Sequence, residues 1–301
     1  MTTFPTGQQY EISSGDHRAV ITEVGATLRS YTVAGRDVVR GFGADEVIRG
    51  GRGQQLLPWP NRIRDGRYEF DGKPQQLALT EPKRHNAIHG LVRHVVWDRI
   101  EQTDEALRQR VRVYPQPGWP GIVEATIGHS VSDAGLLVEV DVANIGNTPV
   151  PFGYAAHPYL TVGETIVDEV SVRSPAARYL HVDDRLLPIE IREVAGTYFD
   201  LRAGDPLADT NLDTAFTDLA TDEDGLWRVS MSLGERRAEL WAEPVFGWLQ
   251  VFTGEDRRDL SIAVEPMTCG PDAFNAGPTE GGRIVLQPGE SFAGRWGITG
   301  H

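Results

Sequence analysis

Residues 68–79 read YEFDGKPQQLAL. Tyr68-Glu69-Phe70 alternates apolar and polar, Asp71-Gly72 is a dipeptide that tolerates positive φ at both centres of a two-residue loop, and Gln75–Leu79 resumes the extended run. The stretch therefore predicts a β-hairpin. The same grammar recurs outward along the chain. Asp133-Ala134-Gly135 precedes LLVEVDVANIG (136–146), and Leu233-Gly234-Glu235 separates VSMS (229–232) from RAELWAEP (237–244). Further strands are predicted over 19–24, 27–33, 110–115, 123–131, 168–174, 248–253, 260–266 and 283–289. Only Ala44–Arg49 suggests a turn or two of helix. With 33 Gly and 19 Pro among 301 residues, turns should be frequent and long helices few. Many short strands at regular spacing predict an all-β chain, a sandwich or barrel. No linker, low-complexity block or fixed-period repeat interrupts it, so residues 1–301 read as one antiparallel β domain.

Composition narrows the function. A formal charge of −14 argues against nucleic acid or an anionic membrane as partner, since both select basic surfaces. Cys269 is the single cysteine, so no intrachain disulfide is available. The N-terminal stretch MTTFPTGQQYEISSGDHRAV lacks a basic start followed by an apolar run, and no stretch reaches the length of a membrane span. The expectation is a cytoplasmic protein acting on a small molecule.

Four segments hold residue types suited to chemistry. In LSIAVEPMTCGPDAFN (260–275), a strand would turn Leu260, Ile262 and Val264 to one side and Ser261, Ala263 and Glu265 to the other. Glu265 then stands among small residues that leave room for a ligand, and Pro266 should end the ladder just beyond it. By itself Glu265 reads equally as an edge-strand carboxylate facing water. In PVPFGYAAHPYL (149–160), Pro158 pushes His157 toward an extended backbone, with Gly153 and Ala155-Ala156 leaving space and Phe152, Tyr154 and Tyr159 supplying aromatic faces. His157 is either a hydrogen-bonded structural residue or the group best placed to hand over a proton near neutral pH.

In KRHNAIHGLVRHVVW (83–97), His85 and His89 stand four apart, but no Glu follows His85 and no third ligand lies at metal spacing. No metal site is expected, and anchoring a turn remains open for either histidine. In LLPWPNRIRDGRYEF (56–70), two prolines around Trp59 lead rigidly to Asn61-Arg62; the Arg62 fork suits hydroxyl or carboxylate partners and equally a buried ion pair. Asp213 in NLDTAFTDL (211–219) is a hydroxyl acceptor or a turn-forming Asp. No dinucleotide fingerprint, phosphate loop or nucleophile elbow is present, and Cys269 reads as a small buried residue.

Together the segments PWPNRIRDGRYEFDGKPQQL (58–77), NAIHGLVRHVVW (86–97), PFGYAAHPYL (151–160), LDTAFTDL (212–219), WLQVFTG (248–254) and SIAVEPMTCGPDAFN (261–275) resemble, in order, the aldose 1-epimerases, also called galactose mutarotases. The resemblance spans most of the chain, from about residue 56 to 277. It implies a large antiparallel β-sandwich, the galactose mutarotase-like supersandwich. It also implies Glu265 as general base, His157 as general acid and His89 as a second site histidine bonding the sugar. Arg62, with Asn61 beside it, and Asp213 match sugar-hydroxyl ligands, as does Gln250 more weakly, and Trp248 and Trp59 are candidates to flank the pocket. Gly90 is followed by Leu91 where better-known galactose mutarotases often carry a second glycine. The HGLVR wording is similar to a divergent bacterial branch and partly to relatives acting on hexose 6-phosphates.

The implied reaction is interconversion of the α and β anomers of a free hexose such as galactose or glucose, with no cofactor. A carboxylate beside His157 is expected to raise the imidazole pKa and favour its acid form. Two alternatives stand beside it: epimerisation of a phosphorylated or otherwise acidic sugar, with Arg64, Arg67 and Arg93 as an anion site, and a non-catalytic sugar-binding protein. Oligomeric state, and whether His85, His94 or Cys269 reaches the site, is not readable.

Overall fold

The computed structural model describes residues 3–164, 166–254 and 261–301. Strands dominate, and every ladder is antiparallel. One large sheet runs Gln9–Ser14, His17–Thr22, Leu28–Val33, Arg36–Val39, Tyr159–Leu160, Ile262–Met267, Trp248–Phe252, Asp213–Leu219, Ala176–Val182, Pro188–Glu193, with Gln55–Leu56 and Ala155–Ala156 joined alongside. A second runs Asp98–Gln102, Ala106–Val113, Val123–Ser132, Gly135–Asn144, Ser291–Gly300, Arg236–Ala242, Trp227–Leu233, Ser171–Arg173. The all-β sandwich is as expected.

The core between these sheets follows from alternation. In Trp248–Phe252, Leu249 and Val251 enter the core; in Ile262–Met267, Ile262 and Val264 do; from the second sheet come Ala125, Ile127, Val138, Val140, Leu240 and Trp296. One buried cluster extends from Tyr10 to Ile298. Each fully buried aliphatic or aromatic side chain there contributes about 1.5–3 kcal/mol. The alternate residues of the first sheet face away from the second sheet, and there Ala155, Ala215, Trp248 and Met267 form a smaller cluster beside the cleft described below.

The hairpins form where turn chemistry places them, with altered edges. Asp71-Gly72 turns between Arg67–Phe70 and Lys73–Gln76, not Gln75–Leu79, and this pair is a separate two-stranded ribbon. Gly234-Glu235 turns between Trp227–Leu233 and Arg236–Ala242 as expected. The predicted strand over 168–174 shrinks to Ser171–Arg173, preceded by a 3-10 turn at Val167–Glu169, and the one over 283–289 shrinks to Ile284–Leu286. Ala44–Arg49 forms an isolated turn without helix. Among the described residues no helix is long and apolar enough to cross a membrane. Leu260, expected to share a face with Ile262, lies outside the described residues.

Candidate active site

Glu265 sits on an interior strand, between Tyr159–Leu160 and Trp248–Phe252, which removes the edge-strand alternative. The strand does not end at Pro266 but continues to Met267. The local backbone explains why a proline is tolerated. Val264 donates its N–H to the Pro158 carbonyl at 3.1 Å, and Pro266, two residues on, faces the same side. There the neighbouring strand is broken between Ala155–Ala156 and Tyr159–Leu160. At that break His157 turns its backbone to Gly53 and Gln54 instead: its N–H donates to the Gln54 carbonyl (3.0 Å), and its carbonyl accepts from Gly53 (2.8 Å).

The break opens directly beside the carboxylate. His157 Nε2 lies 3.2 Å from Glu265 Oε1, and both side chains are buried. Tyr159 stacks on the His157 ring (5.2 Å between centroids, 9° between planes), and His89 meets it edge-on at 5.6 Å. The loop at Gly51 passes so close that a Cβ there would lie 2.8 Å from His157 Cδ2, and its φ of 72° is one that glycine accepts without penalty.

Cross-strand register supplies the rest of the floor. Gln250 is opposite Glu265, and Asp213 is opposite Phe252 on the next strand, so all four side chains share the face turned away from the core. Gln250 Nε2 donates to Asp213 Oδ1 (2.6 Å), Asn61 Nδ2 donates to Gln250 Oε1 (3.4 Å), and Arg62 NH1 donates to Asn61 Oδ1 (3.3 Å). Arg62 NH2 is 3.7 Å from Asp213 Oδ2, which closes a four-residue ring. Arg62 also binds Glu81 through both Nε and NH2, so it is at once an ion-pair anchor and a wall of the cleft. Asn61 and His89 both adopt left-handed backbone (φ 49° and 63°), joined by His89 N–H to the Asn61 carbonyl at 2.9 Å. Such conformations cost about 1–3 kcal/mol and persist where the surroundings hold them. Gly90 follows because a Cβ there would sit 2.1 Å from the Leu57 carbonyl oxygen.

Glu265, His157, His89, Arg62, Asn61, Asp213 and Gln250 thus line one cleft of about 320 Å³, at the lower end of the range usual for small-molecule sites. Sequence reasoning missed Glu81, Arg84, Phe252 and the close approach of Gly51. Glu81 precedes a proline in a polar stretch, and nothing in its spelling marks it. Phe252 had a signal, since it alternates with Gln250. Neither Trp59 nor Trp248 lines the cleft; both pack into buried clusters. Of the three arginines suggested as an anion site, Arg64 pairs with Asp272 and Arg67 bonds Gln76, and only Arg93 reaches the cleft. His85 anchors a turn by bonding Asp65 (3.0 Å), His94 is exposed, and Cys269 is buried behind Gly153; none of the three lines the cleft. Among the described residues no three His, Cys, Asp or Glu side chains group as metal ligands.

Burial decides the protonation of the pair and corrects the expected direction for histidine. Loss of solvent pushes His157 down to about 3, with the charges of Arg93 and Arg52 adding to the effect. Loss of solvent pushes Glu265 well above the carboxylate range, with Asp213 adding and Arg62 opposing. The neighbouring carboxylate does not outweigh the cost of burying an imidazolium. Burial thus disfavours the charged form of both members of the pair. His89 is likewise held neutral, mainly by burial and then by Arg93. Burial opposes ionisation of Glu81, but its bonds from Arg62, Asn86 and Arg84 prevail and lower its pKa. Glu265 Oε2 and His89 Nδ1 are buried and make no hydrogen bond among the described residues. A buried polar atom left this way costs about 1–3 kcal/mol, which a ligand hydroxyl would offset.

Comparison with solved structures places the fold first. A galactose mutarotase-like protein from Clostridium acetobutylicum superposes with a TM-score of 0.86 at 18% identity, covering 97% of this chain and 94% of that one. A galactose 1-epimerase from Lactobacillus acidophilus superposes at 0.78 with 20% identity, covering 97% and 95%. The sandwich is the galactose mutarotase-like fold. The family model for aldose 1-epimerase matches residues 8–299, and the chain belongs to the aldose 1-epimerase family. Among curated relatives, the Escherichia coli protein YihR is 32% identical over 273 residues, 90% of this chain and 87% of that one. The E. coli protein YphB is 22% identical over 290 residues, 94% and 95% respectively. Family membership implies an isomerase acting on a sugar.

Proposed function

We propose that the protein is a mutarotase, exchanging the α and β anomers of a hexopyranose of the galactose or glucose type by opening and reclosing the ring. The observation that carries this reading is the 3.2 Å approach of His157 Nε2 to Glu265 Oε1 at the wall of an open cleft. The galactose 1-epimerase among the structural neighbours supports the choice of sugar.

Anomer exchange removes the proton on O1 while the ring oxygen gains one, so a single site must take a proton and give another. A pair sharing one proton has the required inventory. As carboxylate and imidazolium, Glu265 accepts the O1 proton and His157 protonates the ring oxygen, which breaks the C1–O5 bond. Rotation about C1–C2 turns the aldehyde over. The pair has by then become carboxylic acid and neutral imidazole, the form its buried surroundings favour. His157 next takes the proton from the attacking O5 hydroxyl while Glu265 returns one to O1. The two tautomers therefore serve ring opening and ring closure in turn. Arg62, whose charge favours the Glu265 carboxylate, helps move the shared proton onto His157 before opening. His89, neutral and buried, is suited to donate one hydrogen bond to a sugar oxygen, and the Asn61–Arg62–Asp213–Gln250 ring presents fixed partners to the hydroxyls. Positioned acid and base groups are each worth about 10²–10⁴ in rate, and no cofactor is called for.

The test is anomer-selective NMR exchange with the wild type and Glu265→Gln, each read above the spontaneous rate. The variant should lose about 10²-fold or more in kcat while still binding sugar by titration calorimetry. Wild-type protein that binds hexose without accelerating exchange would leave a sugar-binding protein and sink the mutarotase reading.

A further inference from the structure

Histidine, proline and tyrosine follow one another at 157–159, and the order matters. Pro158 pushes His157 toward an extended backbone, in which residues two apart point the same way. The Tyr159 ring accordingly lies parallel to the His157 imidazole, with 5.2 Å between centroids and 9° between planes. His157 Nε2 faces Glu265 Oε1 at 3.2 Å, but Nδ1 is buried and makes no hydrogen bond among the described residues. A proton-transferring histidine is ordinarily turned to its task by a hydrogen bond on its second nitrogen. Here packing does what that bond would do.

Tyr159 packs on the ring and also ties down the loop at the ring's edge. Its hydroxyl donates to the Gly50 carbonyl at 2.9 Å, and the next residue, Gly51, is the one whose added Cβ would lie 2.8 Å from His157 Cδ2. The Arg52 guanidinium lies over the Tyr159 ring, 4.8 Å from its centroid, and Gly53 and Gln54 hold the His157 backbone. Residues 50–54 thus close on the 157–159 segment with a contact from each. Tyr159 is buried and does not line the cleft, whereas Gly50, Gly51 and His157 do. It therefore acts on a bound sugar only through those neighbours.

We infer that Tyr159 is a positioning residue: its ring holds the His157 imidazole in line with Glu265, and its hydroxyl holds the 50–54 loop against the edge of that imidazole. This rests on the mutarotase reading and adds to it a residue that does not touch the sugar. The charged and titratable groups around His157 are Glu265 on the adjacent strand, His89 and Arg93 from the 86–97 segment, and Arg52 on the loop. Taking away the Tyr159 ring removes none of these but admits water, so burial holds the imidazole neutral less strongly. His157 should then gain its proton at a higher pH.

The experiment compares wild type, Tyr159→Phe and Tyr159→Leu by anomer exchange across pH and by NMR of protein carrying ring-labelled histidine, with His157→Asn identifying the His157 signal. Tyr159→Leu should lower kcat about ten- to hundredfold with KM within about twofold, since misplacing a reacting group by about 1 Å costs about 10²-fold. Its kcat/KM should fall on the acid side where wild type stays level, and its His157 signal should titrate at a higher pH. Tyr159→Phe keeps the ring and loses the tether. It should keep the wild-type pH profile and His157 titration while raising KM about two- to tenfold through the Gly50–Gly51 wall. Tyr159→Leu with wild-type kcat and His157 titration, or Tyr159→Phe with wild-type KM, overturns the inference. So does a loss in kcat and KM alike with an unmoved His157 signal, the mark of general damage. If Tyr159→Leu does not fold, Tyr159→Met takes its place, and Tyr159→Phe still decides the tether. If wild type does not accelerate exchange, the mutarotase reading falls, while the ring signals in the three proteins still decide whether Tyr159 positions His157.

Discussion

Gly51→Ala is the most informative small perturbation, because it adds one methyl group against the His157 ring, the proposed acid. The added Cβ would lie 2.8 Å from His157 Cδ2 and 3.2 Å from Nε2, closer than carbon atoms pack, so something must move. The ring has little room to retreat, with Tyr159 stacked on it and His89 at its edge. Holding alanine in left-handed backbone adds about 1–2 kcal/mol. Displacing the imidazole by a fraction of an ångström lengthens its 3.2 Å contact with Glu265, and misplacement on the scale of 1 Å costs about 10²-fold. The expected outcome is a stability loss of about 1–3 kcal/mol, read from urea unfolding. It should come with a drop in kcat/KM of about ten- to hundredfold, read by NMR exchange. Gly196→Ala is the control. Gly196 has φ 77° with nothing within 4 Å of an added Cβ, so it should show the backbone penalty alone and full activity. If Gly51→Ala matches wild type in kcat/KM, or if Gly196→Ala loses as much, the steric argument is refuted.

Two further outcomes follow from buried histidines. Since His157 is held near about 3, the second proton that would inactivate the pair binds only as pH falls toward that value. The kcat/KM profile should therefore stay level, within about twofold, as pH drops from ~7.5 to ~5.5, and an acid limb centred on the ordinary histidine range would contradict the buried pair. His129 is fully buried in the core strand Val123–Ser132, neither ring nitrogen has a partner among the described residues, and burial lowers it to about 3. The unfolded chain takes up that proton near pH 6.5 and the folded one does not, so stability is lost as pH falls below ~6.5, by about 2 kcal/mol at pH ~5. His129→Leu should lower the slope by that share in denaturant unfolding at the two pH values, with His157 and His89 keeping theirs; an unchanged slope would place the acid sensitivity elsewhere.

Much of this was readable from the chain because turn chemistry and period-two alternation are local. Glu265 was assigned to the face opposite Leu260, Ile262 and Val264, of which Ile262 and Val264 do enter the core, and the hairpin turn at Gly234-Glu235 falls where glycine requires it. Pro266 marked the strand's end to within one residue, the ladder running on to Met267 because the neighbour that would need its N–H is interrupted at His157-Pro158. The pKa direction of His157 was also out of reach. It depends on how completely four separate segments exclude water, whereas sequence shows only that a carboxylate exists. Glu81, Arg84 and Gly51 were hidden for the same reason, since they reach the cleft from loops that meet only in the folded molecule.

The interruption at His157-Pro158 divides labour within the protein. Glu265 is fixed by the hydrogen-bonded frame of a wide sheet, and His157 beside it is tied at the break by backbone hydrogen bonds to Gly53 and Gln54. Arg93, Arg84 and Glu81 lie on segments that connect the strands. Changes in those segments would reshape the cleft wall while leaving in place the strand that carries Glu265.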